Sequence, residues 1–124
     1  MIKNFLLVGL GGALGSMLRY GSALLIGQKN FPLATLLINI AGSFIIGLVL
    51  ALALRNETFA GNGKLFLATG ICGGFTTFSA FSMDNLQLIE NGKYGALAIY
   101  LAASVLLGIV ATWMGFKCIE MAMD

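Results

Sequence analysis

Residues 70–82 read Gly-Ile-Cys-Gly-Gly-Phe-Thr-Thr-Phe-Ser-Ala-Phe-Ser. They set an adjacent glycine pair, Gly73 and Gly74, and the hydroxyls of Thr76, Thr77, Ser79 and Ser82 inside a stretch otherwise apolar enough to enter a membrane. Adjacent glycines remove helix propensity. In hydrocarbon, an unpaired backbone N–H or C=O costs several kcal/mol, so irregular backbone persists only where it is buried in protein or faces a polar cavity or an ion. The stretch is therefore read as a membrane helix broken near its middle, with something other than lipid against it.

The rest of the chain supports a membrane setting. It has 124 residues, of which 59% are hydrophobic and 10% charged. Four apolar stretches, Phe5–Ile26, Pro32–Leu54, Leu65–Ile89 and Tyr94–Phe116, each approach or exceed the roughly 20 residues a helix needs to cross about 30 Å of hydrocarbon. This predicts one all-α integral membrane domain over residues 1–124, with helices at about 4–27, 32–54, 64–90 (broken near 73–78) and 94–118. The connections Gln28–Phe31, Arg55–Lys64 and Glu90–Lys93 are short and polar and leave no room for a soluble domain. Lys3 before an apolar run has the look of a signal peptide. The run is too long for a typical signal core, carries Arg19, and its removal would leave an odd number of spans. Cys72 and Cys118 are isolated and the chain has no His, which argues against zinc or haem and for two small apolar fillers.

Four helices cannot both surround a pathway and fill their own core, so oligomerisation is expected. Lys3, Arg55, Lys64 and Lys117, offset by Glu57, Glu120 and Asp124, fall on one side; Lys29 and Lys93, with Arg19 if it snorkels, fall on the other. Such a weak bias scarcely dictates orientation. Copies inserted both ways would pair as an antiparallel, dual-topology homodimer.

Helix one carries Gly9, Gly11, Gly12, Gly15, Ser16 and Ser22, one nearly bare face. Gly11-x-x-x-Gly15 reads as a helix-packing motif and not as a nucleotide fingerprint, which needs a β-α-β unit. Arg19 either snorkels to the interface or lends positive potential to an anion vestibule. Helix two opens at Pro32, a residue suited to a first turn, and sets Asn39 among leucines and isoleucines. Its carboxamide either joins helices by a hydrogen bond or donates to a passing anion, with Ser43 one turn further on. In helix three, carbonyls freed by the break suit a cation, sodium among them. Phe78 and Phe81 share a helix face, and Asp84, Asn85, Gln87 and Glu90 follow in a vestibule or interface. Helix four aligns Tyr100, Ser104, Gly108 and Thr112 on one stripe that faces either a conduit or a close helix neighbour. Trp113 and Phe116 suit an interfacial anchor.

The motif Gly-Gly-Phe-Thr-Thr-Phe-Ser-Ala-Phe-Ser at 73–82, taken with Asn39, Arg19 and the helix-four stripe, resembles the Fluc (CrcB) family of fluoride channels over essentially the whole chain. The resemblance implies a dual-topology homodimer in the cell (inner) membrane with two antiparallel pores that export fluoride passively from the cytoplasm. It implies a structural sodium ion at the dimer twofold, held by backbone carbonyls of Gly73 and Thr76. Phe78 and Phe81 match the family's phenylalanine pair, Asn39 its pore asparagine, and Ser104 and Thr112 its polar track, with Ser79 also in the pore and Arg19 in the vestibule. Gly108 stands where a serine is usual, Ala80 where a threonine is common, and Asp84 where the family has glutamate.

Two other classes compete. A proton-coupled exporter similar to the small multidrug resistance proteins needs a membrane-embedded carboxylate, which helix one lacks. A non-transporting membrane subunit accounts for the glycines, but not for a break that coincides with Asn39 and a row of hydroxyls. Neither an enzyme nor a nucleic-acid partner is expected: no nucleophile is matched with a base, and the net charge is only +2.

Overall fold

The computed structural model of the chain describes residues 1–27 and 30–124. The Gln28 end of the first connection and the charge of Lys29 lie outside the described residues. Among those residues every regular element is helical. Helix α1 spans Ile2–Ile26 and α2 spans Leu33–Arg55. A third run begins with two π-helical pieces, π1 (Phe59–Gly63) and π2 (Leu65–Cys72), and ends in a single α turn, α3 (Gly73–Phe75). Helix α4 (Phe78–Glu90) follows, then α5 (Tyr94–Met123).

Leucine, isoleucine and alanine fill these helices, and the one proline, Pro32, is kept to the N-cap of α2, where it breaks no helical bond. Glycine ends α1 and turns the chain before α5. Gly27 (φ 77°) and Gly92 (φ 68°) take the left-handed conformation that side chains resist. Among the described residues, three helical runs are long and apolar enough to cross a membrane: Leu33–Arg55, Phe59–Glu90 and Tyr94–Met123. Helix α1 has the length, but its glycines, serines and Arg19 dilute its hydropathy.

Two boundaries differ from the sequence reading. The third run starts at Phe59, not near residue 64, because Asn56 Oδ1 accepts the Phe59 N–H at 2.9 Å and restarts the helix early. Helix α5 continues past residue 118 to Met123. Its end is tied to α2 by Arg55 and Asp124 at 2.9 Å.

Small residues set the packing. Helix α1 lies along π2 and α3, and α2 lies along α5. A Cβ on Gly15 would strike the Ile71 carbonyl, and one on Gly11 would strike the Phe66 carbonyl and Gly70. The α2–α5 contact uses the same device: Gly47 faces the Thr112 carbonyl, and Gly115 faces that of Phe44. Lipid tails are as apolar as leucine, so close backbone approach of this kind, not apolar burial, is what holds membrane helices together. A small core of Leu36, Leu88 and Tyr100, flanked by Phe31 and Phe81, joins α2, α4 and α5. Outward-facing Leu10, Leu18 and Leu25 of α1, and Leu106, Ile109 and Trp113 of α5, remain exposed.

Candidate functional site at the helix interruption

Between α3 and α4 the backbone leaves the helix for two residues. Thr76 (φ −86°, ψ 153°) and Thr77 (φ −152°, ψ 128°) are extended. A continuous helix would send each N–H to the carbonyl four residues earlier, and here those bonds are reassigned. The Thr77 N–H, due at Gly73, goes to Asn39 Oδ1 at 3.1 Å. The Ala80 N–H, due at Thr76, goes to Thr77 Oγ1 at 3.3 Å, which makes Thr77 the N-cap of α4. The carbonyls of Gly73 and Thr76 thus lose their helical donors.

Asn39 from α2 is bonded twice to one residue. Besides accepting from the Thr77 N–H, its Nδ2 donates to the Thr77 carbonyl at 3.3 Å. Of the two roles open to this carboxamide, the helix-joining bond is the one made, while the second Nδ2 hydrogen is still available to a ligand. Arg19 does not stand free: its Nε donates to the Gly74 carbonyl at 3.2 Å. Thr76 Oγ1 donates back to the Cys72 carbonyl at 2.7 Å. Its methyl occupies the space where a Cβ on Gly42 would be.

Beside the interruption opens a cleft of about 330 Å³, lined by Asn39, Gly42, Ser43, Ile46, Thr76, Thr77, Phe78, Phe81, Ser104 and Val105. It gathers Asn39, Thr76, Phe78, Phe81 and Ser104 from α2, the interruption, α4 and α5. Phe78 and Phe81 stand with ring centroids 5.7 Å apart and planes inclined at 46°. Phe78 is 77% exposed, so one wall of the cleft is open in the single chain. Ser79 Oγ lies 2.9 Å from Thr77 Oγ1 and braces the cap. Thr112 is not part of the lining; its hydroxyl donates to the Gly108 carbonyl in its own helix at 3.1 Å. Gly108 faces Ser43 Oγ, so a hydroxyl from α2 stands opposite the position where α5 has none.

A second, polar pocket of about 400 Å³ opens at the α1–α2 and α4–α5 connections, with Asn30, Thr35, Asp84, Gln87 and Lys93 among its lining. Asp84 Oδ2 accepts from the hydroxyl of buried Tyr100 at 2.9 Å. The sequence reading missed the capping role of Thr77, although a threonine directly before the Phe78 helix is an N-terminal signal.

The family described as CrcB-like protein, Camphor Resistance (CrcB), matches residues 6–116. The chain belongs to the CrcB family. It is 42% identical to a protein of Azobacteroides pseudotrichonymphae over 97% of this chain and 98% of the relative. A Thermus thermophilus protein is 44% identical over 94% of each chain. One from Chlorobium phaeobacteroides is 46% identical over 92% of this chain and 90% of its own. All three relatives bear the name fluoride-specific ion channel FluC. This CrcB chain is a multi-pass membrane protein, not an enzyme.

Proposed function

We propose that the chain is a fluoride-specific ion channel that exports fluoride by passive conduction. The observation that carries this reading is the cleft in which Asn39, Ser104 and the Phe78–Phe81 pair meet beside the interruption. Fluoride is small and tightly hydrated, so a pathway must replace its water with donors. Asn39 Nδ2, the hydroxyls of Ser43 and Ser104, and amides at the interruption are such donors. Ring edges carry the positive lobe of the aromatic quadrupole. Phe78 and Phe81 therefore touch an anion without holding it so firmly that it stalls, the balance conduction requires. Thr112 and Ser79 extend the path beyond the cleft.

The conducting form is an antiparallel dual-topology homodimer with two pores, each helix run, α1 included, crossing the membrane. Three features support it: the weak charge bias, the exposed apolar faces of α1 and α5, and a cleft whose Phe78 wall only a second copy or lipid covers.

A sodium ion is the further element of this reading, at the twofold of the dimer. The residues fit it: the carbonyls of Gly73 and Thr76 have lost their helical donors, and hard oxygen atoms from a broken helix are the ligands sodium takes in membrane proteins. Bound there, the ion would supply fixed positive charge that joins two interruptions. Efflux of fluoride against chloride from liposomes tests the whole proposal.

A further inference from the structure

The interruption strips α3 and α4 of defined hydrogen bonds, and side chains from two other helices take their places. In an unbroken helix the Gly74 carbonyl would receive the Phe78 N–H, and the Thr77 N–H would reach the Gly73 carbonyl. Here the Gly74 carbonyl receives Arg19 Nε at 3.2 Å, and the Thr77 N–H reaches Asn39 Oδ1 at 3.1 Å. Helix α1 supplies the missing donor, and α2 supplies the missing acceptor.

Packing fixes the α1 half of this arrangement. Arg19 follows Gly15 by four residues and so shares its face. Gly15 is buried against Ile71 and Phe75, and a Cβ on Gly74 would strike the Gly12 carbonyl. The backbone of α3 is thus pressed onto α1 one turn before Arg19, which leaves the guanidinium stem at the height of the freed carbonyl. A carbonyl left bare in hydrocarbon is costly, and a side-chain N–H that reaches it removes that cost.

We propose that Arg19 is a positioning residue for conduction: its Nε–H, not its charge, holds the interruption in the form that presents Phe78 and Phe81 to the cleft. The inference rests on the channel reading, but its chemistry separates from it. In glutamine the amide nitrogen is attached to the same carbon that bears Nε in arginine, so Arg19→Gln keeps a donor at that place and removes the charge. Methionine has a methyl there and offers no donor. Lysine keeps the charge but places its nitrogen one bond further out.

The experiment compares the parent with Arg19→Gln, Arg19→Met and Arg19→Lys. Fluoride efflux from liposomes is measured for each, as is hydrogen–deuterium exchange of the peptide covering residues 70–82 in detergent. Arg19→Gln is expected to stay within about threefold of the parent in efflux, while Arg19→Met loses about tenfold or more, in keeping with the loss of one hydrogen bond. Exchange at residues 73–78 should speed up in Arg19→Met and return towards the parent rate in Arg19→Gln. The inference is overturned if Arg19→Gln falls with Arg19→Met while Arg19→Lys conducts like the parent, because charge is then the requirement. It is also overturned if exchange is the same in all four proteins. Should Arg19→Met fail to fold, Arg19→Gln against Arg19→Lys decides. A parent that carries no fluoride would sink the channel reading, and the exchange data would still judge the bond.

Discussion

Phe81 and Tyr100 lie ring against ring, with centroids 5.1 Å apart and planes inclined at 46°. Tyr100 is buried, meets Phe31 edge-on at 5.6 Å, and donates its hydroxyl to Asp84. The back of Phe81 is therefore fixed by packing, and the ring is set at the cleft beside Phe78.

Phe81→Ile separates wall from core. Swaps that nearly conserve apolar volume cost less than about 1.5 kcal/mol, so the variant should fold and keep its oligomeric state. Loss of the ring's positive edge should cut fluoride efflux by about tenfold or more, a barrier increase of about 1.4 kcal/mol. Size-exclusion elution with an efflux trace checks both parts, and parental efflux in a well-folded variant would return Phe81 to the core.

Asn39→Asp acts on two bonds at once. The Thr77 N–H keeps an acceptor, but the bond to the Thr77 carbonyl is lost and two oxygen atoms then face each other. A carboxylate in a low-dielectric path also repels an anion by several kcal/mol at about 4 Å. Efflux should fall close to the background of empty liposomes. Parental rates in this variant are incompatible with a path past Asn39.

How far the residues announced all this differs along the chain. The glycine pair, the hydroxyls after it and Asn39 pointed to residues 73–82, because adjacent glycines weaken a helix and polar groups in a membrane helix need partners. The Gly11-x-x-x-Gly15 spacing announced a close neighbour but not which one; that π2 and α3 are the partners depends on three-dimensional packing. Arg19 and Asn39 were each ambiguous for one reason: a side chain's partner 55 or 38 residues away leaves no periodic trace. Thr112, one of the stripe spaced by four, bonds within its own helix, since periodicity shows a shared face but not what a hydroxyl does there.

Sodium removal tests the carbonyls of Gly73 and Thr76. Purification and assay with a bulky organic cation in place of sodium should lower both efflux and dimer stability, and sodium should restore them. Full retention of both after exhaustive exchange would rule out a structural ion at this place.

Orientation is tested in whole cells with a tag at the carboxyl end of α5. A dual-topology protein leaves part of the tags accessible from each side. Labelling confined to one side would contradict the antiparallel dimer and leave the open Phe78 wall to lipid.

Fluoride efflux from liposomes is the most direct test of the central claim. Purified protein is reconstituted, vesicles are loaded with potassium fluoride or potassium chloride, valinomycin is added to release the potential, and the external anion is followed by an ion-selective electrode. The account predicts rapid fluoride release and chloride release no faster than from protein-free vesicles. Release of both anions at similar rates, or of neither, would contradict it.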